Sequence, residues 1–342
     1  MPSLIKRRRI DHGLPPFDWK LLKIVEELGS GTFGSVHCGT YGKDKKTVVI
    51  KKLKSESGDA KSRFIKEAKM LLGITHANIP AFLGFSDSPY AIMMEYFEDF
   101  CHFVDDEWNF DSFADVLVVC VKDVVNAFEY LHKRDIAHRD LKANNVLITN
   151  QHYCHKDKES FSHIYAECPV VCKLTDFGLS RSLDAQTQSI LQSHTEEIIR
   201  GTPVYMAPEI HLGILKSANQ IDLKKTDIWS LGILAYAVIN PNLINPYYKE
   251  ADALGSPLTM EIMKSFMQSQ LFPTHDAKYE LHRVTLWLQI EEIFNSCAKF
   301  DPNERPAISE IAQGLNVEDP EESLIVKGLK HQPEHRTRKR RL

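Results

Sequence analysis

The sequence predicts an α+β protein of two lobes, in which a small N-terminal β-sheet lobe with one helix precedes a larger helical C-terminal lobe. Up to about residue 97, apolar residues fall in short β-branched runs separated by turn residues, as in strands. After residue 98, apolar residues recur every three or four positions, as in helices. The length of 342 residues fits two domains or one bilobed unit.

The elements of the two lobes follow in chain order. In the small lobe, strands are predicted over residues 19–36 (two strands with a glycine turn between them), 47–53 and 91–96, and a helix over residues 62–72. An acidic link at Glu98-Asp99 leads into the larger lobe. There, helices are predicted over residues 113–132, 227–239, 259–268, 286–300 and 309–315. The second of these is apolar almost throughout, so we expect it to be buried.

Both ends of the chain are predicted to be tails, residues 1–16 and 316–342, which leaves a folded domain over residues 17–315. Within that domain, the small lobe is expected to end at about residue 97. Basic runs lie in both tails, at Lys6–Arg9 and at residues 336–341. Such runs are typical of segments that bind nucleic acid or a nuclear import receptor, and equally of solvated termini without a partner. The sequence leaves these alternatives open.

Composition excludes several classes of protein. A hydrophobic content of 43%, a charged content of 26% and a net charge of −4 are ordinary for a globular protein in water. The longest apolar stretches are far shorter than the roughly 18 to 20 residues of a membrane helix, so no membrane partner is expected. Seven scattered cysteines, an odd number, argue against a disulfide framework. We therefore expect a cytoplasmic or nuclear protein.

Four separated segments carry chemistry that makes sense only together. They are Gly29–Val36, Val48–Lys51, His138–Asn145 and Asp176–Gly178. In this order they supply a glycine-rich phosphate cover, a phosphate-pairing cation, a base and two metal ligands. Those are the parts needed to move a phosphoryl group from ATP to a hydroxyl. One glycine-rich turn would be weak evidence, but the ordered set is strong.

The ordered set resembles the eukaryotic-type protein kinases over residues 17–311, and it is similar to the serine/threonine type with tyrosine-kinase-like features. The resemblance implies ATP and Mg²⁺ as cofactors and protein substrates as partners. The nucleotide would be bound by Leu28, Gly29, Ser30, Gly31, Thr32, Phe33, Gly34, Ser35, Val36, Val49, Lys51, Met94, Glu95, Phe97 and Leu147. Glycines at positions 29, 31 and 34 would let the loop lie close over the phosphates.

The resemblance also implies the catalytic roles. Asp140 would accept the proton of the substrate hydroxyl, and Lys142 would neutralise charge on the transferring group. Asn145 and Asp176 would hold Mg²⁺. Lys51 would pair with the phosphates and needs a carboxylate partner, for which Glu67 is favoured over Glu56 and Glu26.

Other residues are expected to support the site. Phe177 would pack beneath Asp176, and Gly178 would let the chain turn. Glu209 would pair with Arg305. Asp227 would bond the backbone of the catalytic loop, with helix capping as an alternative.

Residues near the predicted base bear on substrate type and regulation. Lys142 and Thr202 favour serine and threonine substrates, and residues 173–181 resemble the tyrosine-kinase-like branch of the serine/threonine kinases. Arg139 would pair a phosphate placed on the activation segment by an upstream kinase. The candidate acceptors are Ser180, Ser182, Thr187, Ser189, Ser193 and Thr195. The alternative is a flexible loop with incidental hydroxyls.

Two features depart from the family pattern. Thirty residues lie between Asn145 and Asp176, about twice the usual number, and the surplus at residues 150–170 is rich in His and Cys. Zinc binding is conceivable, but without paired Cys-x-x-Cys arms a surface hairpin loop is favoured. Val49 replaces the usual alanine and narrows the adenine pocket. Val49 favours the alternative of a pseudokinase scaffold, and a dual-specificity kinase is a second alternative to an active serine/threonine kinase.

Overall fold

The computed structural model describes residues 12–31, 34–55, 57–99, 117–148, 170–182, 199–240, 245–275, 277–282 and 287–316. Several predictions fall outside these ranges. They concern both basic runs, the His- and Cys-rich insertion, most of the predicted phosphate acceptors and the start of the helix predicted over residues 113–132.

The upper lobe is built on a five-stranded antiparallel sheet. Its strands are β1 (Leu22–Ser30), β2 (Gly34–Tyr41), β3 (Lys46–Leu53), β4 (Phe82–Asp87) and β5 (Tyr90–Glu95), in the spatial order β1-β2-β3-β5-β4. Strand alternation divides β3 between two layers. Val48 and Ile50 lie in a small cluster on one face, and Val49 belongs to the main core on the other.

Helix α1 (Gly58–Leu72) packs against this sheet and extends further toward the N-terminus than predicted. Ser57 caps it, with the side chain accepting a hydrogen bond from Ala60 N at 3.3 Å. Phe64, Glu67, Ala68 and Leu71 share its buried face. The helix thus presents one carboxylate among apolar side chains toward the sheet.

Strand β4 and the segment beside it were not predicted as folded elements. The predicted tail includes residues 12–16, which lie against β4 in the structure. Pro15 O accepts a hydrogen bond from Phe85 N at 2.8 Å, and Pro16 forms a parallel bridge with Phe85. Edge strands offer unpaired backbone groups, which explains why a short polar segment can be held there.

Two small sheets join the lobes and the loops between them. β6 (Glu98–Asp99), β8 (Val146–Ile148) and β9 (Cys172–Leu174) form a three-stranded sheet in the order β6-β8-β9. β7 (Ile136–Ala137) pairs with β10 (Arg181–Ser182). These pairings place β7 and β8, on either side of the candidate catalytic loop, beside β10 and β9, on either side of Asp176–Gly178.

The lower lobe is helical, as predicted. Its helices are α2 (Leu117–Lys133), α3 (Pro208–His211), α4 (Gln220–Val238), α5 (Tyr248–Ala253), α6 (Met260–Gln268), α7 (Ala277–His282), α8 (Trp287–Cys297) and α9 (Ile308–Asn316). Helix α4 is buried over most of its length, as its apolar sequence predicts. In the described part of the chain, none of the helices is long and apolar enough to cross a membrane.

Helix α4 begins at Gln220, upstream of the predicted start at Asp227. Asn219 and Asp222 form a capping box, in which each side chain accepts a hydrogen bond from the other residue's backbone N–H. The alternative that Asp227 caps a helix is therefore wrong, because Asp227 lies in the interior of α4.

Candidate active site

An ion cluster joins the two lobes at Lys51. Lys51 Nζ donates hydrogen bonds to Glu67 Oε1 at 2.6 Å and to Asp176 Oδ1 at 2.9 Å. β3 supplies the cation and α1 the first carboxylate, while the second follows β9 in the lower lobe. Glu26, a weaker candidate partner, is exposed on β1, and Glu56 lies outside the described residues. The favoured partner, Glu67, is the one in contact.

The cluster perturbs the acidity of its members. Burial alone would lower the pKa of Lys51, but the carboxylates of Glu67 and Asp176 outweigh burial and raise it. Burial would raise the pKa of Asp176, but Lys51 beside it lowers that pKa to about 2. Burial raises the pKa of Glu67, with Lys51 opposing. At neutral pH Lys51 is therefore a cation and Asp176 an anion.

The turn at the Asp-Phe-Gly segment differs from the prediction. Asp176 has a left-handed backbone with φ of 64°, so the turn lies there and not at Gly178. A Cβ on Gly178 would lie 3.3 Å from Asp176 Oδ1 and 3.5 Å from Glu67 Oε2. Glycine at this position therefore provides room for the ion cluster. Phe177 is buried, and its ring lies edge-on to His138 with centroids 5.2 Å apart.

The predicted base, Asp140, sits in a compact polar group with Lys142 and Thr202. Asp140 Oδ1 accepts a hydrogen bond from Thr202 Oγ1 at 3.0 Å. Asp140 Oδ2 lies 3.2 Å from Lys142 Nζ, which also donates to Thr202 Oγ1 at 2.9 Å. The arrangement places a buried carboxylate, an ammonium group and a hydroxyl within mutual reach. It suits the orientation and deprotonation of an incoming hydroxyl.

Asn145 and Asp176 have the donor groups expected of a magnesium site. Asn145 Nδ2 donates to Asp140 O at 2.7 Å and to Asp140 Oδ2 at 3.2 Å, which leaves Asn145 Oδ1 as an acceptor. Thr175 N donates to Asn145 O at 2.9 Å, so the two segments adjoin. Mg²⁺ prefers carboxylate and amide oxygens. The residues present therefore fit the predicted ion.

The catalytic loop is anchored from below by Asp227, whose side chain is 1% exposed. Asp227 Oδ2 accepts from His138 N at 2.8 Å, and Asp227 Oδ1 accepts from Arg139 N at 2.7 Å. His132 Nε2 lies 3.0 Å from Asp227 Oδ2. One buried carboxylate of α4 thus holds the two backbone amides that precede Asp140.

The glycine-rich turn lies between β1 and β2, and its tip residues Thr32 and Phe33 are outside the described residues. A Cβ on Gly34 would lie 2.3 Å from Lys52 O, so the close approach of β3 requires this glycine, a reason that differs from the predicted one. A Cβ on Gly29 or Gly31 would meet nothing within 4 Å. These two positions are open, as a loop above phosphates would need.

The predicted adenine-side residues line one region below the sheet. Val49 and Met94 belong to the main core and Val36 packs against it, and the strand register places Val49 opposite Met94. Leu147 is partly buried on β8. The remaining members lie on the adjoining strands: Leu28 and Ser30 are exposed on β1, and Ser35 Oγ lies 2.9 Å from His37 Nε2.

The end of β5 and the residues after it make contacts that the sequence did not predict. Glu95 Oε2 lies 3.1 Å from Lys173 Nζ, which also lies 4.3 Å from the ring centroid of Phe97. Glu95 N donates a hydrogen bond to Ala81 O at 3.0 Å, so this backbone amide already has an acceptor. Lys173 is three positions before Asp176. The cation therefore ties the link between the lobes to the strand that leads to the ion cluster.

A second missed group supports β9 from behind. Asn78 Nδ2 donates to Cys172 O at 3.0 Å, and Asp123 Oδ2 accepts from Cys172 N at 2.7 Å. Burial raises the pKa of Asp123 to about 6. An acidic residue within the apolar repeat of α2 was the available signal, since such residues stay buried only when they are bonded.

A cavity beside Asp140 is lined by Arg139, Arg200, Thr202 and Met206, among others. The segment that forms it is held by Arg305, whose Nη1 and Nη2 each lie 2.7 Å from an oxygen of Glu209. This predicted pair is bidentate and buried, which is the geometry that makes such pairs rigid.

The described part of the activation segment is bonded to the catalytic loop. Arg139 Nη1 donates to Leu179 O at 3.4 Å, and Ser180 Oγ donates to His138 O at 3.2 Å. Ser180 is thus engaged within the site, unlike a free phosphate acceptor. The side chain of Ser182, and all of Thr187, Ser189, Ser193 and Thr195, lie outside the described residues.

Comparison with known proteins agrees with this geometry. The chain is 27% identical over 297 residues to a probable leucine-rich repeat receptor-like serine/threonine kinase of Arabidopsis thaliana, covering 84% of this chain and 30% of the relative. It is 29% identical over 294 residues to a probable serine/threonine kinase of Dictyostelium discoideum, covering 84% and 49%. It is also 25% identical over 321 residues to the Abl transforming tyrosine kinase of Abelson murine leukemia virus, covering 91% and 37%.

The chain spans about a third to a half of the length of these relatives. The model of the protein kinase domain family matches residues 22–315, which is most of the sequence. On this match, and with the bilobed fold already described, the chain belongs to the protein kinase family.

Proposed function

We propose that this chain is an ATP-dependent protein kinase that transfers the γ-phosphoryl group of Mg-ATP to serine and threonine hydroxyls of protein substrates. The observation that carries the proposal is the ion cluster, in which Lys51 of the upper lobe bonds both Glu67 and Asp176. A cation held at the junction of the lobes by two carboxylates can pair nucleotide phosphates in a fixed position.

Asp140 performs the chemistry toward the substrate. Its carboxylate accepts a hydrogen bond from the attacking hydroxyl, orients its oxygen toward the γ-phosphorus and takes its proton as the bond to phosphorus forms. The bond to the β–γ bridging oxygen breaks, and that oxygen leaves with ADP. Lys142 keeps a positive charge beside the transferring group. Asn145 and Asp176 would hold magnesium, which supplies charge neutralisation at the phosphates.

Serine and threonine specificity is supported by the contact between Thr202, Lys142 and Asp140. This contact places beside the base the two residues, Lys142 and Thr202, whose presence favours serine and threonine substrates. Relatives of both kinds occur among the comparisons, so residue preference is a separate test.

The alternative is a pseudokinase that signals by contact. The intact set, in which Lys51 contacts Asp176 and Asn145 contacts Asp140, argues against this alternative. Val49 narrows the adenine region, but it lies at an apolar position of the core, where added volume is compatible with packing.

The experiment is transfer of labelled phosphate from ATP to a generic protein substrate, followed by identification of the labelled amino acids. Asp140→Asn should abolish transfer, whereas Asp252→Asn, an exposed control on α5, should not. Label on serine and threonine supports the proposal in full. Label on tyrosine alone would refute the specificity, and transfer that persisted in Asp140→Asn would refute the assigned base.

Regulation by phosphorylation of the activation segment is a further part of the proposal. Arg139 borders that segment and is followed by the base. We expect activity to fall when Ser182, Thr187, Ser189, Ser193 and Thr195 are replaced by alanine together. Unchanged activity in this variant would contradict regulation by phosphorylation of the activation segment. Ser180 is omitted because its hydroxyl is bonded to His138 O.

The basic runs suggest a polyanion partner and a cytoplasmic or nuclear location. If they bind nucleic acid, affinity should fall steeply with salt and vanish on removal of residues 1–10 and 331–342. If they bind a nuclear import receptor, the same truncation should change the distribution of the protein in the cell.

A further inference from the structure

The segment formed by residues 12–17, here called the strap, lies outside the stretch matched by the family model, which begins at residue 22. It runs along the outer edge of β4, the last strand of the upper sheet. Phe85 N donates to Pro15 O at 2.8 Å, and Phe17 N donates to Phe85 O at 3.3 Å. Both backbone groups of Phe85 on this side are therefore satisfied by the strap.

Side chains add to these backbone bonds. The ring of His12 lies edge-on to Phe85, with centroids 5.8 Å apart, and Leu14 packs against the main core. Phe17 is 6% exposed and approaches Gly84 so closely that a Cβ there would lie 3.1 Å from Phe17 Cβ. His12 Nε2 is buried and bonds to no described residue, so this ring serves in packing.

Phe85 connects the strap to α1. The rings of Phe85 and Phe64 have centroids 6.3 Å apart, and both are 4% exposed. Phe64 lies three positions before Glu67, so the two side chains share one face of α1. On that face, Glu67 bonds Lys51 at 2.6 Å. A continuous packed path therefore leads from the strap to the ion cluster.

We propose that the strap, held by His12 and Leu14, positions α1 so that Glu67 bonds Lys51, and that release of the strap lowers phosphoryl transfer. The activity part of this inference rests on the proposed kinase function. A helix that packs against the sheet by one face can shift when a segment that supports this packing is released. A shift of about 1 Å is enough to misplace a catalytic ion pair.

The test uses the full chain with His12→Ala and Leu14→Ala together. Hydrogen exchange should become about tenfold faster at the Phe85 amide, which reports strap release, and across residues 58–72. Exchange in α4 should not change. The value of kcat should fall about threefold to tenfold. The rescue variant His12→Phe with Leu14→Met should restore both readouts, because it keeps a ring and an apolar chain.

Leu258→Ala is the matched control, since Leu258 is a partly buried leucine packed on the core in the lower lobe. It should leave exchange in residues 58–72 unchanged. Faster exchange at Phe85 without faster exchange in α1 would overturn the proposal, and so would a Phe85 amide that stayed protected. Exchange does not depend on turnover, so absence of transfer in the unaltered chain would contradict the proposed function without touching this result.

Discussion

The two sides of the candidate site are held in different ways. On the lower side, Asp227 is buried in α4 and bonds two backbone amides of the catalytic loop. On the upper side, Glu67 reaches Lys51 from a helix that packs by one face. The lower side is therefore held by direct bonds between a buried side chain and the main chain of the loop, whereas the upper side depends on helix position. Changes to the lower side should affect stability and activity together, and changes to the upper side mainly activity.

The largest effect is expected for Asp227→Ala. This change leaves the amides of His138 and Arg139 without their buried acceptor, at a cost on the order of 3 kcal/mol in the free energy of unfolding. Urea denaturation should show a lower midpoint, and phosphate transfer should fall as well. The exposed control Asp252→Ala should change neither. If the Asp227→Ala variant were as stable as the wild-type protein, the proposed difference between the two sides of the site would be contradicted.

Glu67→Gln should disrupt only the upper side of the site, where Glu67 pairs with Lys51. The amide keeps the shape of the side chain but loses the charge that holds Lys51, and activity should fall about 100-fold. The free energy of unfolding should change by less than about 1 kcal/mol, because the amide oxygen of Gln still accepts a hydrogen bond from Lys51 and Asp176 still pairs with the Lys51 charge. A loss of stability comparable to that of Asp227→Ala would contradict the comparison.

Lys173→Met sharpens the comparison at the link between the lobes. The variant keeps the apolar stem but loses the charge near Glu95 and Phe97, worth about 1 kcal/mol. The KM for ATP should rise roughly fivefold with little change in kcat. Lys173→Arg should retain most of the affinity, and Lys264→Met, an exposed control on α6, should have no effect. An equal fall in kcat would instead indicate disturbance of Asp176.

The smallest effect is expected for Asp123→Asn and depends on pH. The pKa of Asp123 is raised to about 6 in the folded chain, so the unfolded chain ionises first as pH rises from about 4. As pH rises from 4 to 6, the free energy of unfolding of the wild-type protein therefore falls relative to that of the variant. The expected fall is about 1 kcal/mol, because Asp123 is only half-buried. Urea denaturation at pH 4, 5, 6 and 7 would measure this. A difference independent of pH would show that Asp123 does not titrate in this range.

The sequence was sufficient for features encoded locally or by fixed motifs. The alternation in residues 47–53 predicts the face of Lys51, and the helical spacing in residues 62–72 places Glu67 toward it. Contacts that join distant segments were not predictable in this way. Glu95 and Lys173 are far apart in sequence, and only the fold shows that they meet.

Two further misses have specific physical causes. Residues 12–16 are polar and proline-rich, which is typical of a tail, and they become ordered because an edge strand offers backbone partners. The start of α4 was missed because the apolar pattern begins inside the helix, whereas its cap lies in the polar residues Asn219 and Asp222.

The left-handed backbone of Asp176 bears on how an inert version of this protein should be made. Asparagine tolerates that conformation almost as well as aspartate, whereas alanine pays a steric penalty there. Asp176→Asn would therefore inactivate the protein by removing only the charge of the carboxylate. An alanine substitution would mix charge loss with a distorted main chain, and the two causes could no longer be told apart.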